Sequence, residues 1–295
     1  MSGNLDELAR PSGGLAMVAM DQRESLRAMF AQVRADPIDD ATLTEFKLAV
    51  ARELGPLASG FLIDRLYGFD AVTAEPVLPD SCGLILAVDD LQHEGAVVVD
   101  TGLDRAVDVP DAIRRGAVAL KLLVLWRNDG QQERRIAMAA EFIEMCREAG
   151  LCSVLEPVAR PADGESDFDL NRGILHAAAH LGPLRPSLYK AQVPGQGLGP
   201  ASEIATVCEQ LTAALPVPWV VLSQGVAIAD FPGAVEIACR AGASGFLAGR
   251  GVWSDSIGAG DPVGLLRTRA ADRLRRLADI VDEHARPWTT VEENR

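Results

Sequence analysis

The sequence predicts one α/β domain folded as a (β/α)8 TIM barrel, and three observations carry that expectation. Eight short apolar, β-rich runs recur with starts 24 to 44 residues apart, the size of a strand plus its crossover helix. Helical patterns fill the intervals, and eight such units in about 250 residues suit a barrel better than an open sheet. No Gly-x-Gly-x-x-Gly follows the first run, so the signature of a dinucleotide-binding sheet is missing.

In order, the expected strands are Leu15–Met20, Ser59–Asp64, Gly83–Val88, Ala117–Leu125, Cys152–Val158, Ser187–Gln192, Trp219–Ser223 and Ser244–Ala248. The clearest helix is Gln131–Ala149, where Ile136, Ala140, Ile143 and Met145 form a stripe among Glu and Arg. Ala201–Ala214, Phe231–Ala241 and Leu265–His284 follow the same pattern. The domain is expected to span residues 1–285, with 286–295 as a carboxyl-terminal tail, frayed or docked only through Trp288.

Composition narrows the class of function. A hydrophobic fraction of 48% with 24% charged residues suits a globular enzyme with a sizeable core. A net charge of −14 argues against nucleic acid and anionic membranes as partners. It leaves room for a small anion, because a local arginine cluster dominates within a Debye length of roughly 8 Å. Cys82, Cys146, Cys152, Cys208 and Cys239 have no metal-type spacing. An odd, scattered set with no signal-like amino terminus points to reduced thiols and a cytoplasmic location. No apolar run approaches the ~20 residues of a membrane span.

Lysine is the most telling residue. The chain has three lysines against 25 arginines, and Lys121 and Lys190 lie inside runs that read as buried strands. An ammonium there carries a large desolvation cost unless paired, and a neutral lysine is a nucleophile. Arginine stays protonated and cannot form a Schiff base, so lysine retained in such places suggests carbonyl chemistry. Barrel enzymes place catalytic groups at the carboxyl ends of strands, and Asp21, Asp64, Lys121, Glu156 and Lys190 all fall in or at the ends of strands, where they would share one mouth. Lys190 would attack a ketone, with Lys121 lowering its pKa by like-charge repulsion; spacing leaves the reverse assignment open. Glu156 could shuttle protons, and Asp21 could bind substrate hydroxyls or act as a base. By alternation, Gln192 should share the face of Lys190.

The last two strands suggest an anion site. Ser223, Gly225, Gly249 and Arg250 occupy the loops that often hold a phosphate in barrels. Arg23, Arg65, Arg127 and Arg160 follow other strand ends and could meet a second anionic group. His176 and His180 read as a solvated helix face and not a metal site. Asp39-Asp40 and Asp89-Asp90 read as cap and loop carboxylates. Trp126, Trp219 and Trp253 read as packing residues.

Residues from Pro11 to about Ala285 resemble the class I aldolases of the tagatose-bisphosphate type, more closely the sulfofructosephosphate aldolases of that group. The resemblance rests on Met-Asp-Gln-Arg-Glu at 20–24, Lys-Leu-Leu-Val-Leu-Trp-Arg at 121–127 and Leu-Glu-Pro-Val-Ala-Arg-Pro at 155–161. It continues through Leu-Tyr-Lys-Ala-Gln-Val-Pro at 188–194, Leu-Ser-Gln-Gly-Val at 222–226 and Ala-Gly-Arg-Gly-Val-Trp at 248–253. It implies a barrel with no metal and no cofactor, a phosphorylated ketose as substrate, and a homo-oligomer. It also implies a Schiff-base lysine at Lys190, with Lys121, Glu156 and Asp21 around it and Gln22, Arg23, Ser223, Gly225, Gly249 and Arg250 toward the substrate. One departure is Lys190-Ala191-Gln192, where the family usually has Lys-Val-Glu. A barrel that kept sugar-phosphate binding for regulation and lost turnover is the contrasting expectation, and Gln192 is the residue that favours it.

Overall fold

The computed structural model describes residues 4–94 and 97–293. Eight parallel strands close a barrel: β1 (Leu15–Met20), β2 (Gly60–Asp64), β3 (Gly83–Ala87), β6 (Ala117–Trp126), β7 (Cys152–Ala159), β8 (Leu188–Ala191), β9 (Trp219–Val221) and β10 (Gly245–Ala248). Their order around the barrel is β1-β10-β9-β8-β7-β6-β3-β2. Each expected strand lies on one of these, with ends shifted by a residue or two. The runs were legible because a parallel barrel strand is buried on both faces and so lacks polar alternation.

The lumen is layered. At its amino-terminal end Leu15, Met17, Leu62, Ile85, Val154, Leu188 and Val220 form an apolar plug. Leu5 and Leu8, from a short amino-terminal turn, and Trp288 complete that plug from outside the sheet. The carboxyl-terminal segment is therefore attached at more than one point: Arg286 N–H donates to Ala243 O, and Trp288 N–H to Gly13 O at 3.1 Å. Trp288→Ala should lower the unfolding free energy by about 3 kcal/mol in urea melts, since it empties a buried site at the barrel base. Gly245 is required where β10 meets β1: its φ is +138°, and a Cβ would lie 1.9 Å from Leu15 O.

Two details depart from expectation. In the helix Gln132–Ala149 the buried row is Arg135, Ala139, Phe142 and Cys146, one position from the expected stripe, and Ala140 is exposed. Arg135 can occupy an apolar row because Asp129 takes both ends of its guanidinium, at 2.6 and 2.7 Å. The helical pattern at 265–284 is interrupted by a π-turn at Leu266–Ala270 before the helix Ala271–His284.

Between β3 and β6 the chain forms an antiparallel hairpin, β4 (Asp89–Glu94) and β5 (Val97–Leu103), that the sequence did not announce. It stands at the carboxyl-terminal mouth, where Val98 packs on Leu125, Val158 and Leu222. The lumen thus reads, from base to mouth, apolar plug, charged layer and apolar rim. Among the described residues no helix is long and apolar enough to cross a membrane.

Candidate active site

The charged layer is built by alternation. On β6, Ala119, Lys121, Leu123 and Leu125 face the lumen; on β7, Val154, Glu156 and Val158 do. Lys121 is 1% exposed and Lys190 3%, and both open on a cavity of about 490 Å³ at the mouth. Asp21, Gln22, Arg23, Glu156, Ser223, Gly249 and Arg250 also line this cavity.

Lys121 is the hub. Its Nζ lies 2.6 Å from Asp21 Oδ2, 3.0 Å from Asp89 Oδ1 and 2.8 Å from Glu156 Oε2. Burial works against its charge, but the three carboxylates hold its pKa well above the ordinary lysine value. Burial likewise works against ionised Asp21, yet Lys121, Lys190 and the hydrogen bond from Lys121 hold that carboxyl well below the usual range. Among the described residues Lys190 Nζ has one ionic neighbour, Glu156 Oε1, at 2.9 Å. Glu156 therefore stands between the two lysines. The charge nearest Lys190 is a carboxylate, not the Lys121 ammonium that like-charge repulsion would require.

Asp89 belongs to this cluster, and sequence reasoning missed it. It is 1% exposed, touches Lys121, and accepts the Leu123 N–H at 3.3 Å. Arg23 grips it from the other side, with Nη1 donating to Asp89 O at 2.7 Å and Nη2 to Oδ2 at 3.2 Å. The charge of Arg23 is thus committed within the protein, although its side chain lines the cavity. Asp64 lies off the cavity wall: its Oδ1 accepts the Tyr67 N–H and its Oδ2 lies 2.5 Å from Lys47 Nζ. Lys47, the third lysine, is fully buried in the helix Asp40–Leu54.

The anion-site residues divide. Ser223 Oγ accepts the Gly251 N–H at 3.0 Å, and with Gly249 and Arg250 it lines the cavity. Gly225 does not reach the cavity; its φ of +80° serves a turn packed on Gln196. Gln22 Oε1 is buried without a hydrogen-bond donor among the described residues. Arg250 and Arg160 have no ion pair there either, and Arg127 gives one bond, to Val99 O in the hairpin. Burial lowers the pKa of Arg250, only partly offset by Asp21 and Glu156. It lowers that of Arg160 too, assisted by Arg250 and Arg127. Half-buried guanidiniums that repel one another, with no carboxylate in direct contact among the described residues, are a standing cost that a bound anion would relieve.

Gln192 Oε1 accepts the Ala159 N–H at 2.6 Å and is absent from the cavity wall, so this amide closes the ladder between β7 and β8. His176 and His180 are exposed, and His176 Nδ1 accepts the Trp126 indole N–H at 2.8 Å. Among the described residues no three His, Cys, Asp or Glu side chains are arranged to hold a metal ion.

The model of the DeoC/LacD family of aldolases matches residues 15–255, from the start of β1 to the turn beyond β10. The chain belongs to the DeoC/LacD aldolases. As an aldolase it is a lyase. Over 97% of its length this DeoC/LacD aldolase is 26% identical to a tagatose 1,6-diphosphate aldolase of Listeria monocytogenes, covering 93% of that protein. In fold it is similar to the fructose-bisphosphate aldolase of Plasmodium falciparum (TM-score 0.68, 13% identity, 95% of this chain and 93% of the other). It is also similar to an archaeal fructose-1,6-bisphosphate aldolase with its catalytic lysine bound to a carbinolamine intermediate (TM-score 0.61, 16% identity, 94% and 98%).

Proposed function

We propose that this chain is a class I aldolase that cleaves a ketose phosphate carrying a second anionic group, through a Schiff base on Lys190. The observation that carries the reading is the chain Lys190–Glu156–Lys121, in which Lys190 touches one carboxylate and Lys121 touches three. A lysine held charged by three carboxylates is a poor nucleophile; one with a single proton acceptor at 2.9 Å can be deprotonated in place.

The roles follow. Glu156 takes a proton from the Lys190 ammonium, and the free amine adds to the C2 carbonyl. Glu156 then gives a proton to the carbinolamine oxygen as water leaves, and an iminium results. Asp21, held ionised, accepts the C4 hydroxyl proton as the C3–C4 bond breaks. The bonding pair moves onto the iminium nitrogen as an enamine, and the aldehyde departs. Protonation at C3 and hydrolysis release dihydroxyacetone phosphate and free Lys190. Lys121 remains a fixed cation that keeps Asp21 in the ionised state these steps need and stays 2.8 Å from Glu156. Gln22 Oε1, without a donor of its own, suits a substrate hydroxyl.

Ser223, Gly249 and Arg250 would bind one anionic end, and Arg127 and Arg160 the other. The segments shared with sulfofructosephosphate aldolases favour 6-deoxy-6-sulfofructose 1-phosphate, cleaved to dihydroxyacetone phosphate and 3-sulfolactaldehyde. The Listeria relative favours tagatose or fructose 1,6-bisphosphate. Borohydride reduction in the presence of each ketose, followed by peptide mass spectrometry, tests the reading. The expected result is a dihydroxyacetone-phosphate adduct on Lys190, and an adduct on Lys121 or on no lysine would overturn it. Arg250→Ala should raise KM for the phosphorylated ketose about 10- to 100-fold with a smaller change in kcat, as loss of a charge-assisted contact requires; an unchanged KM would remove Arg250 from the anion site.

A further inference from the structure

Lys47 makes two hydrogen bonds and one ion pair beneath the active site. Its Nζ lies 2.7 Å from Met20 O, 2.7 Å from Gln22 O and 2.5 Å from Asp64 Oδ2. The two carbonyls are those on either side of Asp21, whose Oδ2 makes the 2.6 Å contact with Lys121. We propose that Lys47 is a positioning residue for the aldol reaction: by clamping both carbonyls that flank Asp21, it fixes the backbone from which that carboxylate is aimed at Lys121 and the substrate.

The argument is geometric first. Residues 21–23 follow the last residue of β1, where sheet hydrogen bonding ends and the backbone has no ladder to hold it. The helix Asp40–Leu54 supplies the missing restraint from outside the barrel, and Asp64, at the end of β2, anchors the ammonium that applies it. Lys47 has no exposed surface and does not line the cavity, so nothing in its surroundings offers it a role in binding substrate. Its charge also acts on Asp21 through space, in the same sense as Lys121 and Lys190. A buried ammonium is costly to desolvate, and an apolar residue at this place in the stripe Leu43, Phe46, Val50 and Ala51 would avoid that cost. Misplacement of a catalytic group by about 1 Å can lower turnover about 10²-fold, which is the scale of benefit such a clamp can return.

The inference rests on the aldolase reading, and a double-mutant cycle tests it separately. Lys47→Met alone strands Asp64 in the core, so the working variant is Lys47→Met with Asp64→Asn, which removes both buried charges together. Its kcat for ketose cleavage should fall tenfold or more. On an Asp21→Asn background the same pair of changes should lower kcat less than twofold, because the group being positioned is already gone. Asp64→Asn alone keeps both carbonyl acceptors but removes the anchor of the ammonium, so its loss of kcat should be smaller than that of the charge-balanced pair. Equal losses with and without Asp21, or no loss from the charge-balanced pair, would overturn the inference.

A readout independent of turnover is the carboxyl ¹³C titration of Asp21. The charged groups around that carboxyl are Lys121 on β6, Lys190 on β8, Glu156 on β7, Asp89 on β4, Arg23 and Arg250 on the following turns, and the Lys47–Asp64 pair. With the others unchanged, the titration should move upward in the charge-balanced variant, and an unmoved titration would count against the clamp. Failure of the aldolase reading would show instead as an inactive wild-type enzyme with an intact upward shift.

Discussion

Lys190→Arg is expected to abolish ketose cleavage, with a loss of at least about 10⁴-fold, while leaving cooperative thermal unfolding in place. Both halves follow from the contacts of Lys190. Its amine is the nucleophile that opens the proposed sequence of steps, and a guanidinium stays protonated and forms no Schiff base. Arginine nevertheless retains a cation for Glu156, so no buried carboxylate is orphaned, and the open cavity beside Lys190 can take the larger group. A coupled assay for dihydroxyacetone phosphate beside a circular-dichroism melt provides the check. Near-normal activity in a folded variant would sink the nucleophile assignment.

Lys121→Met should have the largest effect on stability, a loss of about 3–5 kcal/mol near pH 8, because it leaves Asp21, Asp89 and Glu156 buried around an uncharged thioether. Activity should fall with it, since Asp21 would lose the cation that holds it ionised. The pH dependence has a definite sign. In the wild type the folded-state pKa of Asp21 lies below its unfolded value, so its contribution is present above the unfolded pKa and is lost as pH falls through the folded one. Without Lys121, burial pushes the Asp21 carboxyl up instead, above its unfolded value, so the variant recovers stability as that group takes up its proton. The stability gap between the two proteins should therefore narrow from about pH 8 toward about pH 4 in urea titrations. A gap that widens on acidification would show that Lys121 is not the counter-charge of this cluster.

What the sequence disclosed depended on whether a residue contradicted its surroundings. Lys121, Glu156 and Lys190 stand in apolar runs, where an ionisable group is conspicuous, and the structure brings them within 3 Å of one another in a chain of contacts. Asp89 follows an equally apolar strand, but the adjacent Asp90 made the pair resemble an ordinary loop, and its partner Arg23 is 66 residues away. Lys47 carries a usable signal of its own: it sits four residues from both Leu43 and Ala51, on the buried face of its helix. Asp64 and Gly225 were placed in the site by a positional rule, and local bonding overrode the rule in each case. The hairpin between β3 and β6 is hard to read because its first strand is polar and alternates exposed and half-buried residues after Asp89, much as a loop does.

The scarcity of lysine has a chemical consequence beyond the active site. Aldehydes released by an aldolase condense with free amines, including those of the protein that made them. Here Lys47 is sealed beneath β1, Lys121 is ringed by carboxylates, and the abundant arginines of the surface form no simple imines. Lys190, facing the cavity with one contact, is the side-chain amine most open to its own product. An amine-directed aldehyde probe should therefore mark Lys190 ahead of Lys47 and Lys121.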